Sequence, residues 1–491
     1  MKRFFAFSIV FAILSGAVFA EITVTGGATA TFIPLGIVDP KDDGKHDPET
    51  LLPVAGLGKT DGDRDSGIEM QVNVAGETEG GKAGFLFQWR PHYRGGDALS
   101  VNGIGDNAGL WVKPIDLLRI DVGRFTNNDI RGRVGSGAWF GDFTIPRGGE
   151  GDIFSNFGAK MGVMVSAKDI VEGLGVYVLV NNMLISSHTE KDEDNYIPAS
   201  DSTTASLFRI NGNLTWAAGR RAEYIYENTQ AAVSYAIPNI GLARVQYIGA
   251  APSATYRSGS DRFLPTSIWS ISAPRFEAAF AYTGMEGLIV DVGGKFYLPF
   301  DDVSYPHESF LAPTSNIDWP GSGAKFGWGN SIEKNGKYQA PFMVALGASY
   351  NLSALTLYLR FDAKFGSSGE YKNSGITHKL ELGPEIKGWL TANYKLSDTL
   401  SAQAEGGLIY AGESIASKTG ASDIVRGSDA LLYGFGAGVQ ATLAENCTIK
   451  VGATFTGGKG VEVSSDSSDA ESVTLPFASS FTVPVIFSVS F

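Results

Sequence analysis

A single cysteine, Cys447, stands in 491 residues, so an intrachain disulfide framework is excluded. A free cysteine is most often a small buried apolar residue, and no chemistry is assigned to this one. The five histidines (His46, His92, His188, His307 and His378) are scattered. None forms an HExxH spacing or has a cysteine partner, so no zinc site is readable. There is no GxSxG, and nothing pairs a nucleophile with a base, so no enzymatic activity and no cofactor are expected. Pro- or Ser-rich linkers and convincing amphipathic helices are missing as well. One large all-β domain is the economical reading. After the first residues, no run approaches the ~18 consecutive apolar residues that a helical span needs. A formal charge of −13 offers nothing to nucleic acid.

The start of the chain is different. Residues 1–20, MKRFFAFSIVFAILSGAVFA, place Lys2 and Arg3 before an apolar run from Phe4 to Leu14. Small residues follow, with Val18 and Ala20 at the positions a signal peptidase inspects. The pattern predicts a secretory signal cleaved after Ala20 and a mature domain over 21–491. Losing Lys2 and Arg3 takes the charge from −13 to −15. An exported chain with no helical span is either soluble or crosses a membrane as a closed β-barrel.

Period-two alternation decides between these. Leu355, Leu357, Leu359, Phe361, Ala363 and Phe365 alternate with Thr356, Tyr358, Arg360, Asp362 and Lys364. Similar patterns recur over 68–74, 85–90, 385–394 and 447–455. A half-buried soluble sheet also alternates. Here the segments reach ~10 residues, as a tilted membrane-crossing strand requires. The polar face also carries charges of both signs in mid-strand. The 62 glycines suit strands that curve and pack closely.

Connections alternate strictly between short and long. The short set is 77–81, 113–116, 169–175, 237–241, 284–287, 352–354, 397–399 and 444–446. The long set, rich in Asp, Gly, Ser and Asn, is 37–65, 94–106, 126–157, 184–228, 251–274, 300–340, 367–377, 413–427 and 460–475. Transmembrane barrels have tight turns at one rim and long loops at the other. The segments between connections predict eighteen strands: 22–36, 66–77, 82–93, 107–113, 117–125, 158–168, 174–183, 229–237, 241–250, 275–284, 287–299, 341–352, 355–366, 378–396, 400–412, 428–443, 447–459 and 476–491. Sixteen follows if one assigned hairpin is loop, and 205–216 is an alternative extra strand. The expected fold is an all-β, antiparallel, up-and-down transmembrane barrel.

With the apolar face to lipid, the mid-strand charges point into the lumen. They are Arg90, Arg119, Asp121, Arg244, Arg275, Glu277, Asp291, Lys295, Arg360, Asp362, Lys364, Glu385, Lys387, Glu405 and Lys450. A cation on the lipid face near the midplane would cost ~2–4 kcal/mol. The excess acid lies mostly in the long connections. A barrel of 16–18 strands is too wide for wall side chains to fill and encloses an aqueous channel. Passive diffusion of small hydrophilic solutes or ions is the default activity. Neither a plug domain nor a passenger is apparent.

Export signal, short turns, long loops, strand number and the terminal Phe491 together resemble the general diffusion and sugar porins of Gram-negative outer membranes. The most specific piece is LLRIDVGRFTNND (117–129). It resembles the porin stretch in which the fifth strand closes on a Gly-Arg pair, here Gly123 and Arg124, before the third loop. The resemblance implies location in the outer membrane of a diderm bacterium, contact with its lipid, and commonly a homotrimer. It also implies that segment 126–157 folds inward and narrows the channel. That segment sets Arg131, Arg133 and Arg147 against Asp129, Asp142, Glu150 and Asp152, with Trp139, Phe140 and Phe143 between them. Opposed charges across an aperture set selectivity.

Asp61, Asp63 and Asp65 have the spacing of a calcium loop. Ser66 holds its glycine position and Val72 its glutamate position, so a plain acidic loop competes with a metal site. The second reading of function is an adhesin or receptor barrel that binds a partner through 184–228 and 300–340, the latter containing Trp319, Pro320, Phe326 and Trp328. A fatty-acid transporter barrel would need an inserted hatch before the first strand, which starts at once with EITVTGGATATF. The chain ends FTVPVIFSVSF, with Phe487, Val489 and Phe491 alternating with Ser488 and Ser490. It predicts a closing strand, and its end resembles the tag read by the outer-membrane assembly machinery.

Overall fold

The computed structural model of the chain describes residues 19–39, 49–51, 68–89, 104–127, 134, 137–141, 157–181, 229–250, 253–256, 269–272, 274–298, 300–301, 312–313, 326–327, 337–339, 342–366, 368–373, 376–418, 424–459, 461–465, 473–475 and 479–491. Eighteen of its strands form one ring. They are β1 (Phe19–Asp39), β2 (Ile68–Thr78), β3 (Ala83–Trp89), β4 (Ile104–Ile115), β5 (Leu118–Asn127), β6 (Phe157–Lys168), β7 (Leu174–Asn181), β8 (Thr229–Ile237), β9 (Gly241–Ile248), β10 (Arg275–Met285), β11 (Leu288–Tyr297), β12 (Phe342–Leu352), β13 (Leu355–Phe365), β14 (Glu385–Lys395), β15 (Leu400–Ala411), β16 (Ala430–Ala444), β17 (Cys447–Lys459) and β18 (Ser479–Ser490). Each pairs antiparallel with its sequence neighbour. The ring closes where β1 meets β18, from Gly27↔Ser490 to Asp39↔Ser479. Closure removes the last sheet edge, as a membrane-crossing sheet requires.

The eight short connections join the strands expected. Their backbones show why they are tight: Asp169, Asn239 and Ser353 all take positive φ (58°, 59° and 54°). Such φ values suit the narrow hairpin turns that match strand twist. At the rim these turns form, Lys82 bonds Asp116 across neighbouring turns, and Lys395 Nζ donates to Asp398 Oδ1 at 2.7 Å. Each lysine holds its exposed aspartate below the usual carboxylate range.

Outside, the wall is apolar. Val122, Val163, Val245, Val292, Leu359, Leu390 and Phe435 all lie on the outer face with their side chains uncovered. In water that would be an aggregation surface; in lipid it is the expected boundary. Tyr235, Tyr350 and Tyr394 stand outward near the short-turn rim. Phe276, Phe296, Phe342 and Phe365 stand outward near the other rim. Phe296 and Phe342 rings pack at 5.0 Å, and Tyr247 and Phe276 at 5.4 Å. On β12 the stretch from Phe342 to Tyr350 covers ~27 Å along the strand. At a tilt of ~40° that is ~20 Å of membrane thickness, near the height of an apolar band between aromatic girdles.

The structure corrects one part of the sequence reading. The single strand expected over 378–396 is two. A break at Gly383-Pro384 divides Ile376–Leu382 from β14. Proline has no N–H for the ladder and restricts the residue before it, so a break falls here. Ile376–Leu382 belongs instead to a second, eight-stranded sheet built from the long connections. Its members run from Phe300–Asp301 through Lys337–Gln339, Ser368–Asn373, Ser414–Lys418, Ile424–Gly427 and Val461–Ser465 to Val473–Leu475. This sheet extends the wall beyond β11–β18, and stretches expected as irregular loop are strand there.

The lumen and the segment that crosses it

Alternation places polar side chains inside. All the charges assigned to the lumen lie on the inward face of their strands, except Arg90, which is outside the described residues. They fall into groups set by register. On β5, Arg119 donates to both Asp121 oxygens (2.7–3.1 Å) and stacks 4.4 Å over Trp111 of β4. On β9 and β10, fully buried Glu277 accepts from Gln246 Nε2 and from Arg275 Nε, both at 2.6 Å. Lys295 of β11 is its direct register partner. Arg244 of β9 sits two residues before Gln246 on the same face and is buried. On β13, Arg360 donates to Asp362 at 3.1 Å. Across from it on β14, Lys387 Nζ lies 2.8 Å from Glu385, and Lys364 Nζ lies 3.9 Å from the same carboxylate.

The seam is different. Thr454 and Thr482 hydroxyls share a hydrogen bond of 2.5 Å, and Thr456 and Ser480 one of 2.6 Å. On β2 and β3, Gln71 and Gln88 both donate to Asn73 Oδ1 at 3.0 Å, and Asn73 donates to Thr25 at 3.4 Å. This side of the inner wall carries mainly hydroxyls and amides, while most of the charges named lie on β9–β14.

Segment 126–157 supplies the feature that organises the lumen. Its described residues, Val134 and 137–141, touch the far wall. Val134 N–H donates to Asp291 Oδ2 of β11 at 2.7 Å. Gln403 of β15 donates to Gly137 O at 2.8 Å and accepts from Trp139 N–H at 2.6 Å. Glu405, two residues on, accepts from Trp139 N–H at 2.9 Å and Phe140 N–H at 3.2 Å. Lys450 Nζ of β17 lies 5.7 Å from the Trp139 ring. The segment leaves from β5 and returns to β6. Its contacts centre on β14, about halfway round a ring of eighteen strands. A ring of this size is ~35 Å across from backbone to backbone. The thirteen residue steps from Asn127 to Phe140 reach ~45 Å when extended, enough to cross.

Phe140 ends the contact. Its side chain is completely buried (0 % exposed) in a hollow made by two glycines. Gly438 of β16 and Gly452 of β17 face each other in register. A Cβ on either would come within 2.5–2.6 Å of the Phe140 ring. Trp139 meets Phe140 edge-on, with centroids 6.4 Å apart. Gly137 sits at φ +65° against the Tyr358 ring, where a side chain would collide and the backbone would be strained.

Of the residues expected at a constriction, the structure therefore places Trp139 and Phe140 inside the barrel. Asp129, Arg131, Arg133, Asp142, Phe143, Arg147, Glu150 and Asp152 lie outside the described residues, as do Asp61, Asp63 and Asp65 of the calcium reading, the 205–216 alternative and the 184–228 connection. Sequence reasoning missed the receiving wall. Asp291 and Glu405 were read only as lumen charges, and Gln403, Gly438 and Gly452 were not singled out. The signal available was the run of inward glycines at 434, 436 and 438, which leaves β16 bare on one face. It also missed an apolar inner patch. Met164, Tyr177, Leu179, Ala232 and Ile248 face inward on β6–β9 and are buried. Ile409 and Leu432 do the same on β15 and β16, with partly buried Trp389 of β14 packed against them. The inner wall is thus not uniformly polar, contrary to the simple division of faces.

No protein-family model and no curated protein matches the sequence. Solved barrels resemble the structure over nearly its whole length at low similarity. They include OmpT of Vibrio cholerae, folded in vitro (10% identity, TM-score 0.39, covering 97% of this chain and 100% of that one). An anion-selective porin from Comamonas acidovorans aligns at 12% identity and TM-score 0.39, covering 96% and 100%. OmpF of Salmonella typhi aligns at 12% and 0.38, covering 96% and 97%. The fold rests on the chain's own strand pairings: a closed antiparallel β-barrel of eighteen strands.

Proposed function

We propose that the chain is an outer-membrane porin, exported by its first twenty residues, in which an aqueous channel passes small hydrophilic solutes or ions by diffusion. One observation carries this reading. A barrel too wide for its wall to fill, apolar outside and largely polar inside, has a segment reaching from one wall to the opposite one. A crossing segment narrows the bore without closing the barrel, and acceptors on the far wall, with the Gln403 amide, hold it there. Segment 126–157 is then the constriction. The charges at 129, 131, 133, 142, 147, 150 and 152 would set its field, and Trp139 and Phe140 would anchor it. The assembly machinery would read Phe491, and porin barrels commonly work as trimers.

The test is planar-bilayer recording of the purified, refolded protein, with liposome swelling in neutral sugars of graded size. Stepwise insertion of ohmic channels, with swelling that falls off as the sugar grows, is expected. A barrel that folds and inserts but passes neither ions nor sugars would overturn the reading and favour a binding role for the long loops.

A further inference from the structure

The geometry points to a channel that prefers anions, hydroxylated organic anions in particular, although the chain as a whole is acidic. This rests on the porin reading above and specifies its solute class. Of the mid-strand charges singled out above, those among the described residues are eight cationic and six carboxylate. The surplus is concentrated on β9–β14, where Arg244, Arg275 and Lys295 gather around Glu277, and Arg360, Lys364 and Lys387 face Asp362 and Glu385.

How the carboxylates are occupied matters more than the count. Each accepts a hydrogen bond from the wall or from the crossing segment. Asp121 is held by Arg119, and Glu277 by Arg275 and Gln246. Asp362 is held by Arg360 and Glu385 by Lys387. Asp291 and Glu405 are occupied by backbone N–H groups of 134–140. A passing cation meets carboxylates that already hold a donor, so each attracts it less. A passing anion meets weaker competition at Lys364, whose ammonium is 3.9 Å from a carboxylate already held at 2.8 Å by Lys387. Two ammonium groups share one carboxylate there, leaving a local positive excess. Rings and arrays of cationic side chains make pores selective for anions.

The excess acid of the sequence lies mostly in the long connections and acts in the opposite sense. Salt screens it over ~10 Å at 0.1 M and ~3 Å at 1 M. The wall opposite the cationic arc is hydroxyl and amide, at Thr25, Asn73, Gln88, Thr454 and Thr482. A polyhydroxylated anion finds an ammonium or guanidinium on one side and neutral hydrogen-bonding partners on the other.

Zero-current potentials in a tenfold potassium chloride gradient test the ion preference. Bi-ionic recording with potassium gluconate and N-methylglucamine chloride tests the hydroxylated pair, since the two large ions are alike in size and opposite in charge. Chloride is expected to be favoured over potassium about two- to fourfold, increasing with salt, and gluconate over N-methylglucamine. Lys364→Glu should bring the chloride preference to unity or below, and the milder Lys364→Gln should lower it. A conducting channel that prefers potassium, or one whose preference ignores both substitutions, overturns this inference and leaves the porin reading standing. A folded barrel that does not conduct overturns both.

Discussion

Phe140→Ala tests whether the crossing segment is held by its socket. The phenyl ring is wholly buried between Gly438 and Gly452. Truncating a buried Phe costs ~3–5 kcal/mol, and losing the edge-on contact with Trp139 is included in that range. Taking ~3 kcal/mol as the loss to docking, the undocked fraction rises about 150-fold. The backbone bonds from Val134, Trp139 and Phe140 to Asp291 and Glu405 remain. Charge-assisted bonds contribute ~1.5–3 kcal/mol each, so the segment should stay docked most of the time. The mean single-channel conductance should therefore change little, while open-channel flicker rises by about two orders of magnitude. Adding Glu405→Ala removes a second anchor, and the mean conductance should then climb as well. The barrel itself should not soften, because Phe140 contributes nothing to the strand ladder. Its heat-modified mobility on a gel should shift at the same temperature as wild type. If flicker and conductance both match wild type in the single and the double variant, the socket does not hold a constricting segment.

Glu405→Gln keeps an acceptor but removes its charge. A loss of ~1–1.5 kcal/mol is expected, with about tenfold more flicker and less effect than Phe140→Ala. Asp116→Asn removes the partner of Lys82 at the short-turn rim. The Asp116 pKa is depressed, so the pair contributes above the ordinary aspartate range near pH 4 and is lost as pH falls through the lower folded value. Because the aspartate is fully exposed, the melting temperature at pH 7 should barely move, and the small destabilisation of wild type near pH 3 should disappear. Phe491→Ala leaves the closing bonds between Gly26 and Phe491 in place, since both are backbone (2.8 and 2.9 Å). The Phe491 ring lies over Gly26 but is 65% exposed, so refolded barrels should melt within a few degrees of wild type. Surface levels in cells should fall sharply, and equal levels would refute the assembly role.

The wall was legible because its two faces differ in polarity. Wherever apolar groups lie outside and polar groups inside, period two persists for ten residues, as in β13 and β17, and the register follows. The short turns were equally readable, since asparagine, aspartate and glycine mark the positive-φ positions that a tight hairpin needs. The extra sheet beyond β11–β18 was less so. Its strands alternate like barrel strands, and a proline such as that of Gly383-Pro384 is the local mark of where one sheet ends and the other begins.

The crossing segment shows where single-strand patterns stop being informative. Its length and its place after β5 suggested an inward path, but its anchors are spread over β11–β17, up to about 310 residues away in sequence. Nothing local to 126–157 specifies them. Asp291 and Glu405 looked like ordinary lumen charges because charge and period alone carry no information about which donor will arrive. Gly438 and Gly452 looked like curvature glycines, and only their cross-strand register turns them into a hollow the size of a phenyl ring. The apolar inner patch on β6–β9 fails for a related reason. In β7, Val176 and Val178 face outward while Tyr177 and Leu179 face inward, so the strand reads as one apolar run with no alternation. Such a run is the mark of a strand buried on both faces. Its inner side chains are buried like its neighbours' on β6–β9.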